Sequence, residues 1–193
     1  RDDTETLVDW GLVLLCGDLS DIDEPLVVDL GTGSGAIALA IKHRCAAVAM
    51  TAADVSGPAL ELARANASAL GISVELVQGD WWAAVPGRRF DLCLANPPYI
   101  APDDEHLLRL QYEPQSALVS GGNGLSDLHQ IIDGATDHLT AGGWLILEHG
   151  NSQAPEVRLR LTDAGFVDVQ TRLDLSGLER CTGGRLGNFS RSA

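Results

Sequence analysis

Asn96-Pro97-Pro98-Tyr99 follows the apolar run Phe90 to Ala95 and sets an amide, two rigid rings and an aromatic side chain in succession. The prolines remove two backbone donors and fix two φ angles, and Pro97 pushes Asn96 out of the α region. A strand therefore ends there, with its last polar side chain held still. Asn96 Oδ1 and the Pro97 carbonyl become two acceptors in a fixed array. That array suits a planar, poorly nucleophilic nitrogen whose lone pair is delocalised. Two acceptors can take both N–H protons and turn the nitrogen's face toward an electrophile, while Tyr99 stacks on the planar group. No general base is required in the ground state, because the nitrogen can lose its proton after its new bond to carbon has formed.

A second constellation supplies a partner for this array. Gly31-Thr32-Gly33-Ser34-Gly35 sits between the strand-like Leu26 to Leu30 and the small, apolar stretch Ala36 to His43, where glycine lets the chain turn tightly and a ligand approach the main chain. Asp54 ends the following apolar stretch, at a spacing where a carboxylate accepts from ribose hydroxyls. The loop has the form G-x-G-x-G, follows Asp29 and lacks the third glycine of a pyrophosphate fingerprint, so a nucleoside without pyrophosphate fits it better than a dinucleotide. Asp80 and Trp81 close a third strand; Asp80 can accept from an exocyclic amino group and Trp81 can pack on a purine ring. Trp81 and Trp82 are equally open to reading as core or rim aromatics.

The elements that must bring these residues together follow from periodicity. Helices are expected over Thr4–Leu15, Ala36–His43, Ser56–Leu70 (with Gly71 past its end), Leu125–Leu139 and Pro155–Ala164. Strands are expected over Leu26–Leu30, Ala47–Ala53, Val74–Val77, Phe90–Ala95 and Gly143–Glu148. Phe166–Leu173 and Arg180–Phe189 read as a closing antiparallel hairpin. Strands alternating with helices predict an α/β fold, a doubly wound, seven-stranded and mostly parallel sheet whose C-terminal strand ends share one edge. Ala101–Gly124 reads as a long substrate loop, in which Glu113-Pro114 shapes the chain and Asp103-Asp104-Glu105 forms a helix start or solvated face.

Composition bounds the function. The 193 residues, 45% of them hydrophobic, suit one domain spanning 1–193 with a substantial core. With 13 Lys and Arg against 27 Asp and Glu, the net charge of -14 repels nucleic-acid backbones and anionic membranes. The clusters Lys42-His43-Arg44, Arg88-Arg89 and Arg158/Arg160 read as solvated faces. Cys16, Cys45, Cys93 and Cys181 show no metal-ligand spacing, and reduced, mostly buried thiols in a cytoplasmic protein are expected. His149, after Glu148 at a strand end, reads as a structural histidine because the chemistry asks for no base. No apolar run reaches membrane-spanning length, and the chain opens at Arg1 without an initiator Met, as a fragment or processed product would.

Taken together, the glycine loop, the acidic end of the second strand and Asn96-Pro97-Pro98-Tyr99 resemble S-adenosylmethionine-dependent methyltransferases that act on planar nitrogens. More closely, the chain resembles the release factor glutamine methyltransferases. The likeness runs from Arg1-Asp2-Asp3-Thr4-Glu5 through Asp29 to Ala38, Asp80-Trp81-Trp82 and Asn96 to Ile100. It continues in Tyr112-Glu113-Pro114, Ala117-Leu118, Gly124-Leu125, Leu147 to Gly150, Glu179-Arg180 and Gly184-Arg185. The family usually has Pro where this chain has Asp2, and its helical N-terminal recognition domain has no counterpart here. The resemblance implies methylation of the side-chain nitrogen of the Gly-Gly-Gln glutamine in peptide release factors, with S-adenosyl-L-methionine converted to S-adenosyl-L-homocysteine. By it, Gly31, Thr32, Gly33, Ser34 and Gly35 line the cofactor's methionine and ribose, Asp54 holds the ribose, and Asp80 and Trp81 hold the adenine. Asn96, Pro97, Pro98 and Tyr99 take the glutamine, with Asn96 bordering the cofactor as well; Asn96, Pro97 and Tyr99 carry the catalysis, and no metal is involved. The alternatives are a nucleic-acid adenine or guanine N-methyltransferase, which net charge and the lack of a basic stripe disfavour, and a non-catalytic cofactor-binding module. A module without catalysis has no need of a rigid acceptor pair. A nicotinamide oxidoreductase is disfavoured by the glycine spacing.

Overall fold

The computed structural model describes residues 2–99 and 121–187. Its elements are α1 (Asp2–Cys16), β1 (Leu26–Leu30), α2 (Ala36–Arg44), β2 (Ala49–Asp54), α3 (Gly57–Leu70), β3 (Glu75–Gln78), a 3-10 turn (Trp81–Ala84) and β4 (Phe90–Ala95). They continue with α4 (Gly121–Gly124), α5 (Ser126–His138), β5 (Leu139–Glu148), α6 (Ala154–Asp163), β6 (Phe166–Leu173) and β7 (Glu179–Leu186). The seven strands form one sheet in the order β3-β2-β1-β4-β5-β7-β6, with only the last two connections antiparallel. This is the expected doubly wound sheet with a closing hairpin. Of the expected substrate loop, residues 101–120, with Asp103-Asp104-Glu105 and Glu113-Pro114, lie outside the described residues, as does Phe189.

Local chemistry sets the boundaries. Ser56 caps α3, its side chain accepting from the Ala59 amide at 3.3 Å, Pro58 stands in the first turn, and Gly71 ends the helix in the left-handed conformation. β4 is buried at all six positions and β1 at its last four, as central parallel strands covered on both faces must be. Alternate residues serve opposite layers. Val27, Leu92, Leu94 and Ile146 join Leu7, Trp10 and Ile41 under α1 and α2, whereas Val28, Cys93, Leu145 and Leu147 join Leu128, Ile131, Val157 and Leu161 under α5 and α6. Each fully buried Leu or Ile contributes about 1.5–3 kcal/mol of transfer free energy, so both layers are needed to hold the sheet.

Two expectations change. β5 begins at Leu139 rather than Gly143, because Leu139 pairs with Phe90 before an irregularity in the β4–β5 register. The basic clusters are not uniformly solvated. Lys42 Nζ donates to the Ala46 and Val48 carbonyls at 2.7 and 2.6 Å, closing the end of α2. Arg88 donates to Glu75 and Thr51 and lies 5.1 Å from the Phe90 ring centroid, and Arg158 donates to Glu179 and Thr171. Long stems over apolar surface and nearby carboxylates explain why such residues fold back. The expectation of mostly buried thiols holds for two of the four: Cys93 and Cys181 are buried, Cys45 is intermediate and Cys16 is exposed, and none forms a disulfide.

Candidate active site

Strand register assembles the site. Val77, Ala53, Leu30, Ala95 and Leu147 lie side by side across β3, β2, β1, β4 and β5. The next residues along these strands, Gln78, Asp54, Gly31, Asn96 and Glu148, therefore stand in one row at the C-terminal edge, where open α/β sheets bind ligands.

The glycine loop is built by hydrogen bonds. The Gly31 and Thr32 amides both donate to the Ala53 carbonyl at 2.9 Å, and the Gly35 amide donates to the Thr32 carbonyl at 2.9 Å. Gly31, Gly33 and Gly35 hold φ of 72°, 56° and 82°, the left-handed region in which side chains are strained. Asp54 braces the loop from β2: Oδ2 accepts from the Gly33 amide and Oδ1 from the Ser56 amide, each at 2.8 Å. Asn66 Nδ2 donates to the Ser34 carbonyl at 2.9 Å. Beneath the loop, Asp29 Oδ2 accepts from Thr32 Oγ1 at 2.6 Å and from the Ala38 amide at 3.3 Å. Asp29 is 0% exposed, and its Oδ1 has no hydrogen-bond partner among the described residues. Burial pushes its carboxyl up to about 7 against the pull of the Thr32 and Ala38 donors, with the Asp54 charge adding to the rise. Burial, with the Asp29 charge, likewise pushes the Cys93 thiol up.

The two tryptophans divide their labour. Trp82 is core: its ring stacks on His138 at 4.8 Å between centroids, and Nε1 donates to the Ile131 carbonyl at 2.8 Å. Trp81, partly buried at the margin of the same core, has a φ of 42° that is unusual for a bulky residue. Its ring lies over the glycine loop, so that a Cβ at Gly31 would come within 3.0 Å of it. At Gly33, by contrast, a Cβ would meet nothing within 4 Å. The loop is thus covered by the Trp81 ring at Gly31 and open at Gly33. Asp80 is exposed, and its side chain makes no capping bond.

Asn96 to Tyr99 hold the other side of the edge. Pro97 is buried, and Asn96, Pro98 and Tyr99 are half-buried. Asn96 Nδ2 donates to Thr4 Oγ1 of α1 at 3.4 Å. The Tyr99 hydroxyl donates to Glu148 Oε1 at 3.4 Å, and Gln153 Nε2 donates to the Tyr99 carbonyl at 3.1 Å. His149 is buried with both ring nitrogens engaged: Nδ1 lies 2.8 Å from the Gly150 carbonyl and Nε2 2.7 Å from Thr182 Oγ1. Burial lowers its pKa, with Arg180 adding to the fall. A ring so placed holds the end of β5 to β7 rather than facing the cleft.

Four residues of this arrangement were not singled out by sequence reasoning: Asp29, Thr4, Glu148 and Gln153. Asp29 carries a usable signal, a lone carboxylate inside the apolar Leu26 to Leu30. Thr4 and Gln153 carry none, since they meet Asn96 and Tyr99 across 92 and 54 residues of chain.

A seven-stranded doubly wound sheet with a reversed final strand, a glycine loop after β1 and a rigid acceptor pair after β4 define a Rossmann-like methyltransferase. The same fold appears in the ribosomal protein L11 methylase of Lactobacillus delbrueckii subsp. bulgaricus, with a TM-score of 0.68 and 23% identity over 95% of this chain and 79% of that one. It recurs in magnesium protoporphyrin IX methyltransferase from Synechocystis PCC 6803 with bound SAM, with a TM-score of 0.64 and 16% identity over 96% and 80% of the two chains. The family model "Methyltransferase small domain" matches residues 4–125. The release factor glutamine methyltransferase of Xylella fastidiosa strain Temecula1 is 48% identical over 192 residues, covering 98% of this chain and 68% of the relative. That of Bordetella pertussis is 44% identical over 189 residues, covering 96% and 68%. The chain belongs to the release factor glutamine methyltransferase family.

Proposed function

We propose that this chain methylates the side-chain nitrogen of a glutamine in the Gly-Gly-Gln motif of peptide release factors, using S-adenosyl-L-methionine and yielding S-adenosyl-L-homocysteine. The observation that supports the reading is the shared edge on which Asn96, after β4, stands beside Gly31, after β1. The lining suits the cofactor: the space over Gly33 is free, the Trp81 ring lies beside Gly31, and the Asp54 oxygens keep lone pairs for ribose hydroxyls. The bound cofactor supplies an electrophilic methyl group on a sulfonium. In this reading Gly31, Thr32, Gly33, Ser34 and Gly35 contact its methionine and ribose, Asp54 its ribose hydroxyls, and Asp80 and Trp81 its adenine.

Asn96 Oδ1 and the Pro97 carbonyl accept the two N–H protons of the substrate amide, and Tyr99 lies against its plane, so the nitrogen's face points at the methyl carbon. Pro98 fixes the turn that presents them. Orientation of this kind can lower a barrier by roughly 7–11 kcal/mol in well-aligned cases. The amide proton leaves after the N–C bond has formed, and no side chain of the site has to remove it beforehand.

A protein rather than a nucleic acid is proposed as substrate because a chain of net charge -14 repels phosphates at long range. The described helices include none long and apolar enough to cross a membrane, and a cytoplasmic location accords with four cysteines outside any disulfide. The region is proposed as the catalytic domain of its family, residues 1–193. Labelled S-adenosylmethionine offered with a release factor, its Gly-Gly-Gln glutamine variant, DNA and RNA tests the assignment. Label on the factor and none on the variant is expected; label on nucleic acid alone overturns it.

A further inference from the structure

The Gln153 amide lies among three backbone segments distant in the chain. Its Oε1 accepts from the Gly150 amide at 2.9 Å, and its Nε2 donates to the Tyr99 carbonyl at 3.1 Å and the Gly124 carbonyl at 3.3 Å. A primary amide suits this junction because it offers donors and an acceptor without charge; a carboxylate lacks the donors and an ammonium the acceptor. Gly124 provides an independent sign that the segments are held at close quarters. It sits at φ 81°, and a Cβ there would run into the Tyr99 carbonyl and come within 2.8 Å of Gln153 Nε2. At Gly150 a Cβ would lie 3.2 Å from Gln153 Oε1.

Pro97 and Pro98 fix their own φ angles but leave ψ at Pro98 and both torsions at Tyr99 to be set by contacts. The Tyr99 hydroxyl is held by Glu148 at the end of β5, and its carbonyl is held by Gln153 at the threshold of α6. We propose that Gln153 is a positioning residue for the acceptor array: by tying the Tyr99 carbonyl to the turn between β5 and α6, it sets the direction of the Pro97 carbonyl and of the Tyr99 ring without touching substrate or cofactor. The inference deepens the glutamine-methylation reading and rests on it.

Wild type, Gln153→Leu, Gln153→Glu and Gly124→Ala are compared in steady-state methylation of a release factor and in calorimetric binding of S-adenosylhomocysteine. Gln153→Glu keeps the acceptor for Gly150 and loses the donors, and Gly124→Ala displaces the Tyr99 carbonyl with Gln153 intact. All three variants are expected to lose about 10- to 100-fold in kcat, the scale of a misplacement near 1 Å, with KM and S-adenosylhomocysteine affinity within about twofold of wild type. Wild-type kcat in Gln153→Glu overturns the proposal, and so does a loss of S-adenosylhomocysteine affinity parallel to kcat in every variant. Crystal structures of wild type and Gln153→Glu read the same point without substrate. A Pro97 or Tyr99 carbonyl shift above about 0.5 Å, the tolerance of a productive site, is expected, and a smaller one overturns the proposal whatever the substrate proves to be. Absence of transfer by wild type to any release factor, with the shift present, overturns the glutamine reading alone.

Discussion

The glycine loop and the Asn96–Tyr99 turn stand side by side on one sheet edge, yet they are stiffened by different means. The loop is wired by side chains: Asp29 accepts from Thr32 and Ala38, Asp54 accepts from Gly33 and Ser56, and Asn66 donates to the Ser34 carbonyl. Its glycines occupy left-handed conformations because they lack a Cβ, and their amides are held by the Ala53 carbonyl, Asp54 and the Thr32 carbonyl. The turn is stiffened covalently by two pyrrolidine rings and tied at its margins by Thr4, Glu148 and Gln153. Wiring suits a surface that binds by shape. Ring constraint suits a surface that must keep its own carbonyl oxygens available, since a turn held by internal hydrogen bonds would occupy the acceptors that the substrate needs.

If that contrast is right, removing a brace should damage the loop side in stability and binding, and removing an acceptor should damage the turn side in rate. The largest effect is expected at Asp29. Its carboxyl is held up to about 7 by burial, against an ordinary value of 3.8. Between those values the unfolded chain gives up the proton that the folded chain retains, so stability falls as pH rises from about 4 to 7, with a full cost on the order of 4 kcal/mol by linkage. Urea denaturation of wild type and Asp29→Asn across that window should show the fall in wild type and a flatter profile in the variant; parallel profiles would break the assignment of Asp29 as the buried brace.

Next comes Asn96→Ala, for which kcat should drop about a hundredfold or more, scaled from single polar contacts at reacting centres. Calorimetric cofactor affinity should be nearly intact. Turnover equal to wild type would remove Asn96 from the acceptor pair. Asp54→Ala should act in the opposite sense, weakening cofactor binding by about 1.5–3 kcal/mol, the range for hydrogen bonds to a charged acceptor, while kcat at saturation changes less. The smallest stability change is expected for Gly33→Ala. Its Cβ meets nothing within 4 Å, so the free protein should lose only the left-handed backbone cost of about 1–2 kcal/mol. The same methyl projects into the open side of the loop, and isothermal titration should show weakened cofactor binding. Full affinity there would mean that the ligand does not pass over Gly33.

Much of this was legible in the linear chain. Ser56, Pro58 and Gly71 bracket α3 by local chemistry alone, and the apolar runs ending in Leu30, Asp54 and Ala95 mark parallel strands whose ends must share an edge. Asn96-Pro97-Pro98-Tyr99 announces its stiffness because proline acts on its own torsions. The reading of Lys42 and Arg88 as solvated charge missed their partners, since the Val48 carbonyl and Thr51 reach them only after the helix end and the neighbouring strand have come into place.

What depends on neighbours in sequence, such as periodicity, caps, φ-restricting residues and the spacing of glycines, was settled by the chain alone, because those energies act over a few bonds. Long-range contacts were decided only by folding. The fold set the Trp81 ring beside Gly31 and sank Trp82 into the core. It buried Asp29 deeply enough to hold a proton near neutrality, and it carried Thr4 and Gln153 to the two ends of the Asn96–Tyr99 turn. Burial and hydrogen-bond partnership are properties of what surrounds a side chain, and those surroundings exist only once the layers have packed.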